Sequence, residues 1–176
     1  PTACQHQGRY FQLSDVMGVD REMGFSLSTD KYNTCDPHHF ILEDESFTGK
    51  IDFGEGTSRI YAQGKHYQIQ DGEYSQLVVN EYGKGHSVYF AGLPYSPQNC
   101  RILLRAIYYA AGMPEEMKHY YVTNVDTEVT VFPETKRIAV INNSESEQKT
   151  DLYIKGKLIR ELTLAPREMR WVDDAE

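Results

Sequence analysis

No stretch of this sequence comes near the ~20 consecutive apolar residues that a membrane-spanning helix needs. Positive charge is scarce too: 18 Lys and Arg stand against 26 Asp and Glu, a formal net charge of −8. A protein that binds nucleic acid needs basic surface to displace counterions, so the balance argues against that partner. It disfavours anionic membrane surfaces on the same ground. There are three cysteines, Cys4, Cys35 and Cys100, and no Cys-x-x-Cys. That is too few for a disulfide framework, and it lacks the ligand spacing of structural zinc. The three read as ordinary half-buried thiols, and the odd count suits a reducing cytoplasm. No secretion signal is visible. The chain begins at Pro1 and not at Met, a start that reads as internal.

What is present is material for a packed core, with 40% hydrophobic and 25% charged residues over a length that suits one domain or two small ones. The strongest local signal is a helix over Pro97–Ala111. Ser96 can accept from the first free backbone N–H groups, and Pro97 fits the first helical position. Leu103, Ala106, Ile107 and Ala110 recur as one apolar face, and Gly112 with Pro114 closes the helix. Two strands precede it, Gln76–Asn80 and Ser87–Ala91, joined by a glycine-bearing turn. Further upstream, Gly8–Val16 reads as a short helix. Residues 24–58 read as loops with one or two strands, and Ser58–Ala62 with His66–Ile69 as another hairpin. After Pro114 come five short alternating strands at 127–132, 137–141, 150–154, 158–162 and 168–172, the pattern of a β-sandwich. About 60 residues make a small core, so the tail is expected to pack against a neighbour. The fold expected is α/β followed by all-β, with domains over 1–115 and 116–176.

Several motifs invite chemistry. Asp52-Phe53-Gly54 spells a kinase metal-binding triplet, but no His-Arg-Asp loop or glycine-rich nucleotide loop accompanies it, and a turn accounts for it. Gly83-Lys84-Gly85 lies before a strand, where a phosphate loop would need a helix, so it too reads as a turn. Glu43-Asp44-Glu45 reads as like charges in a solvated loop, not as a catalytic pair across a cleft. Asn142-Asn143-Ser144 is a formal glycosylation sequon that reads as a turn. His38 and His39 are adjacent, so on an extended segment they point apart and do not share a metal; they read as loop histidines or as contacts to a ligand or another domain. Asp30, Lys31 and Tyr32 combine a carboxylate, a cation and an aromatic in one loop. That set suits a polar ligand such as a sugar, and a surface loop equally well. Thirteen tyrosines could stack on sugars, but tyrosine is also an ordinary strand residue.

Several stretches taken together carry a resemblance: Pro1-Thr2-Ala3 with residues 7–13, Gly18-Val19-Asp20, residues 24–32, 52–56 and 80–85, and residues 89–96. Spread over residues 1–112, they resemble the galacto-N-biose/lacto-N-biose phosphorylases, whose relatives include galactosyl-rhamnose phosphorylases. The resemblance implies an N-terminal (β/α) barrel, then an amidotransferase-like (flavodoxin-like) α/β domain, then a small β-domain. This chain would start partway through the middle domain, and its main partner would be the missing barrel. The implied reaction is reversible phosphorolysis of a β-galactoside with inversion, giving α-galactose 1-phosphate, with galactoside and phosphate bound by the intact protein. No metal or organic cofactor is implied. The catalytic acid matches no position here. The chain's own role would be scaffolding, cleft closure or homodimer contact, with Asp30, Lys31, Tyr32, His38 and His39 facing the barrel or its substrate. The alternative is a stand-alone carbohydrate-binding or interaction module. An independent hydrolase would need a pair of acids that the sequence does not supply.

Overall fold

A computed structural model describes residues 3–6, 9–21, 39–43, 51–55, 60–62, 67–71 and 74–173. In chain order its elements begin with strands β1 (Ala3–His6) and β2 (Arg9–Phe11), helix α1 (Ser14–Met17), and strands β3 (Val19–Arg21) and β4 (Ile60–Ala62). Strands β5 (Tyr67–Asp71), β6 (Tyr74–Tyr82) and β7 (Gly85–Phe90) lead into helix α2 (Pro97–Ala110) and the single turn α3 (Pro114–Met117). Then come β8 (Tyr120–Val122), β9 (Thr127–Phe132), β10 (Arg137–Asn142), β11 (Gln148–Ile154), β12 (Lys157–Leu164) and β13 (Met169–Asp173). The architecture is mostly sheet with few helices, and all strand pairings among the described residues are antiparallel.

Strand β6 is the middle of the sheet β5-β6-β7. Its run Gln76-Leu77-Val78-Val79-Asn80 is buried throughout, as in a strand covered on both faces. Leu77 and Val79 point to one side and pack with Ile102 and Ala106 of α2 and with Ile41, Leu42, Ile51 and Phe53. Val78 points to the other and packs with Phe11, Val19, Ile60 and Tyr89. The last six strands form two three-stranded sheets, β12-β11-β8 and β13-β10-β9, around one further core of Val122, Ile138, Val140, Leu152, Ile154, Leu162, Leu164 and Val172. That tail does pack against a neighbour. The Arg101 guanidinium of α2 donates to the carbonyls of Val122 (2.8 Å) and Asn124 (2.9 Å).

Several expectations are corrected. The hairpin expected from 58–62 and 66–69 does not form: β4 pairs with β3, and β5 pairs with β6. The reason is legible afterwards, because only Gly72 and Glu73 separate β5 from β6, and a Gly-X pair is a favoured two-residue hairpin sequence. The helix expected over Gly8–Val16 is divided. Arg9–Phe11 is a strand on β1, and α1 starts only at Ser14. Gly18 ends α1 at φ 67°, and a Cβ there would lie 2.8 Å from Asn80, whose amide donates to the carbonyls of Asp15 and Val16. Of residues 24–58 only 39–43 and 51–55 are described; there Phe40–Leu42 is a 3-10 turn, and the rest of that expectation lies outside the described residues. Cys100 is an exposed free thiol, not a half-buried one. Strand β8 was not foreseen.

Helix α2 begins as expected, with the Ser96 hydroxyl accepting from the Asn99 N–H at 3.1 Å and Pro97 in the first turn. Its buried face is different. Asn99, Ile102, Arg105 and Ala106 are inside, whereas Leu103 and Ile107 are 44% and 57% exposed. Polar anchors turn the helix this way. The Asn99 amide donates to the carbonyls of Asp52 (2.9 Å) and Pro94 (2.8 Å), and Arg105 donates to that of Phe40. The Asp52 carboxylate in turn accepts from the Gly54 N–H at 2.8 Å, so Asp52-Phe53-Gly54 is a turn. Gly92 lets the Phe53 carbonyl come close, since a Cβ there would lie 2.5 Å from that oxygen. Gly83 and Lys84 form the tight turn between β6 and β7.

The sequon asparagine Asn142 is fully buried. Its amide donates to the carbonyls of Ser146 and Ala165, and its side-chain oxygen accepts from the Ser144 N–H. Asn142→Ala orphans these groups and is expected to cost about 1–3 kcal/mol. Asn143→Ala, at an exposed neighbour, should change stability by less than ~0.5 kcal/mol. Urea unfolding of the two variants side by side checks the difference.

Candidate functional site

Of the residues singled out in the sequence, Asp30, Lys31, Tyr32 and His38 lie outside the described residues. His39 is described, and it sits in a cluster with His86, Tyr109 and Glu81. His39 precedes the 3-10 turn in extended conformation, and its Nδ1 accepts from the Ile41 N–H at 3.3 Å. That bond leaves Nε2 to carry the proton of the neutral ring. The ring meets Tyr109, in the last turn of α2, edge-on at 5.1 Å between centroids. His86 of β7 meets the same tyrosine with its ring tilted, at 5.0 Å between centroids. Tyr109 is therefore in contact with two imidazoles.

Glu81 reaches this group through strand register. It lies opposite His86 across the β6–β7 turn, and its Oε1 is 3.9 Å from His86 Nδ1. That distance is beyond a hydrogen bond, and the buried Nδ1 has no hydrogen-bond partner among the described residues. Burial pushes the Tyr109 phenol above its ordinary 10.0, and the negative charge of Glu81 adds to the effect. The phenol thus stays neutral and able to donate across the physiological range. The cluster offers two imidazoles, a phenol and a carboxylate, all at least partly accessible. Such groups can hydrogen-bond a polyhydroxylated ligand and stack on it. Among the described residues no group of three or more His, Cys, Asp or Glu could hold a metal ion, and no helix is long and apolar enough to cross a membrane.

Sequence reasoning found His39 and missed its three neighbours. The Glu81–His86 pairing could have been read from the two-residue turn between them. Tyr109 carried no such signal, because the face of α2 that is buried depends on Asn99 and Arg105.

Comparison with known proteins decides the family. Residues 1–115 match the family model for the lacto-N-biose phosphorylase central domain, and residues 120–172 the model for the lacto-N-biose phosphorylase C-terminal domain. The chain belongs to the lacto-N-biose phosphorylase family. Over 87% of its length it is 49% identical to a 1,3-beta-galactosyl-N-acetylhexosamine phosphorylase of Lachnoclostridium phytofermentans. It is 34% identical, over 93% of its length, to the 1,3-beta-galactosyl-N-acetylhexosamine phosphorylase of Bifidobacterium longum. A D-galactosyl-beta-1->4-L-rhamnose phosphorylase of L. phytofermentans is 30% identical over 89% of the chain. These relatives are much longer, and the chain spans only 21%, 26% and 21% of them respectively.

The raised Tyr109 phenol has a consequence for stability. Its folded value lies above the ordinary 10.0, so the folded state holds the proton more tightly than the unfolded chain. Its contribution is complete below pH 10 and is lost as the pH rises through the folded value. Glu81→Gln removes one of the two causes and should bring that value down. Alkaline absorbance titration of the E81Q variant against its parent, with Tyr109→Phe identifying the signal, reads the change.

Proposed function

We propose that this chain is a non-catalytic portion of a glycoside phosphorylase that reversibly phosphorolyses a β-galactoside, galactosyl-N-acetylhexosamine or galactosyl-rhamnose, with inversion. The observation that carries the reading is the pair of family matches, central domain and C-terminal domain in that order, in a chain spanning 21–26% of its relatives. In this reading residues 1–115 are part of an amidotransferase-like α/β domain, and the antiparallel hairpins β5-β6-β7 belong to its edge. Residues 116–176 are a small β-sandwich domain. A (β/α) barrel upstream holds the catalytic acid. That acid protonates the glycosidic oxygen while a phosphate oxygen attacks the anomeric carbon from the opposite face. The old C–O bond breaks, and α-galactose 1-phosphate forms. The reading places the protein in the cytoplasm and leaves homodimer contact among the roles of this portion.

The loop residues Asp30, Lys31, Tyr32 and His38, together with His39, are assigned to face the barrel or its substrate. Support for His39 comes from its position beside His86 and Tyr109, where polar rings meet at a partly exposed surface. The complete protein is expected to form α-galactose 1-phosphate from a β-galactoside only when phosphate is present, as followed by phosphorus NMR. Lack of phosphate-dependent cleavage of any β-galactoside ends the proposal. His39→Ala should lower kcat/KM about tenfold, a loss of about 1.4 kcal/mol, chiefly through KM. An unchanged kcat/KM removes His39 from the assignment.

A further inference from the structure

Helix α2 buries a face that carries polar anchors and leaves its more apolar face open. The face left open carries Cys100, Leu103, Leu104, Ile107 and Ala111, spaced i, i+3, i+4, i+7 and i+11, which are neighbours along one side of a helix. Leu103 and Leu104 are each 44% exposed and Ile107 is 57% exposed. Scattered exposed apolar residues are ordinary, but a contiguous stripe marks an interaction surface. The helix cannot roll to hide it. Asn99 and Arg105 hold the opposite face by hydrogen bonds to the carbonyls of Asp52, Pro94 and Phe40. A roll would break all three inside the core.

Beside the stripe lies an open groove of about 300 Å³ with Leu104 and Tyr108 on one wall and Val129 and Val131 of β9 on the other. Its opening is fixed, because Arg101 ties α2 to the carbonyls of Val122 and Asn124. Leu104 and Tyr108 carry the apolar surface from the helix towards Val129 and Val131 of β9, and Arg101, Glu116, Thr127 and Glu128 supply polar groups to the same groove.

We infer that this stripe and groove are the docking surface for the polypeptide that lies upstream in the longer protein. The inference rests on the reading of the chain as part of a longer phosphorylase. The chain spans about a fifth to a quarter of its relatives, 21–26%, and its first match is to a central domain, so most of the mass available to cover the stripe lies before it. A second copy is a poorer occupant, since each chain carries a formal net charge of −8. The upstream surface that fits is apolar where it meets the stripe, with a projecting ridge that carries some polar groups into the groove.

The test places a photo-cross-linking residue in the complete gene product by Ile107→p-benzoylphenylalanine and, separately, by Leu103→p-benzoylphenylalanine. Lys157→p-benzoylphenylalanine, at an exposed strand end, serves as the control. Cross-links from positions 103 and 107, absent from 157 and mapped by mass spectrometry to peptides upstream of Pro1 within one chain, support the inference. Cross-links to a second copy or to residues 1–176 overturn it. So does failure to cross-link, or a gene product with no upstream segment. Phosphorolysis is assayed separately on the parent protein. Upstream cross-links without phosphorolysis would leave the docking surface standing and end the reaction assignment. Phosphorolysis without upstream cross-links would do the reverse.

Discussion

Asn99 donates both amide hydrogens to main-chain carbonyls, one in the Asp52 turn and one in the loop before α2. The N-terminal half of the structure is arranged around that pair of bonds. They hold the Asp52–Gly54 turn against the start of the helix, where Gly92 makes room for the Phe53 carbonyl. They also set the rotation of α2, so that Ile102 and Ala106 face Leu77 and Val79 of β6. Six residues further on, Arg105 repeats the arrangement against Phe40. Between them Arg101 reaches outward to the tail. Three polar side chains, each donating to main-chain carbonyls, thus join elements that apolar packing alone would leave free to slide, because dispersion and burial carry little direction.

The same bonds explain where sequence reasoning stopped. The helix limits were legible because Ser96, Pro97, Gly112 and Pro114 are local signals. The tail strands were legible because apolar and polar residues alternate there, and Ile138, Val140, Leu152 and Ile154 do lie in the core. The buried face of α2 was not legible. Leu103, Ala106, Ile107 and Ala110 make the better apolar stripe on paper, and only a partner 47 residues away in the chain makes Asn99 an inward-facing group. The pairing of β4 with β3 was hidden for a related reason. It joins segments about 40 residues apart, and no periodicity reports such a separation.

The histidine cluster combines both situations. His39 was found because His38-His39 stands out in the sequence, yet its neighbours come from a hairpin and a helix end far along the chain. Glu81 and His86 are brought face to face by register, and Tyr109 arrives because the helix is turned by its anchors. The surroundings of Tyr109 therefore depend on how α2 packs against β6.

Asn142 carries a consequence of a different kind. Its amide is enclosed where β10 ends and the chain turns towards β11, and no sugar could be attached there in the folded protein. The sequon can be read only on a nascent chain. Production in the secretory pathway of a eukaryotic host would let oligosaccharyltransferase reach Asn142 before the tail closes, and a glycan there would keep β10 and β12 apart. A bacterial or cytosolic host avoids the modification.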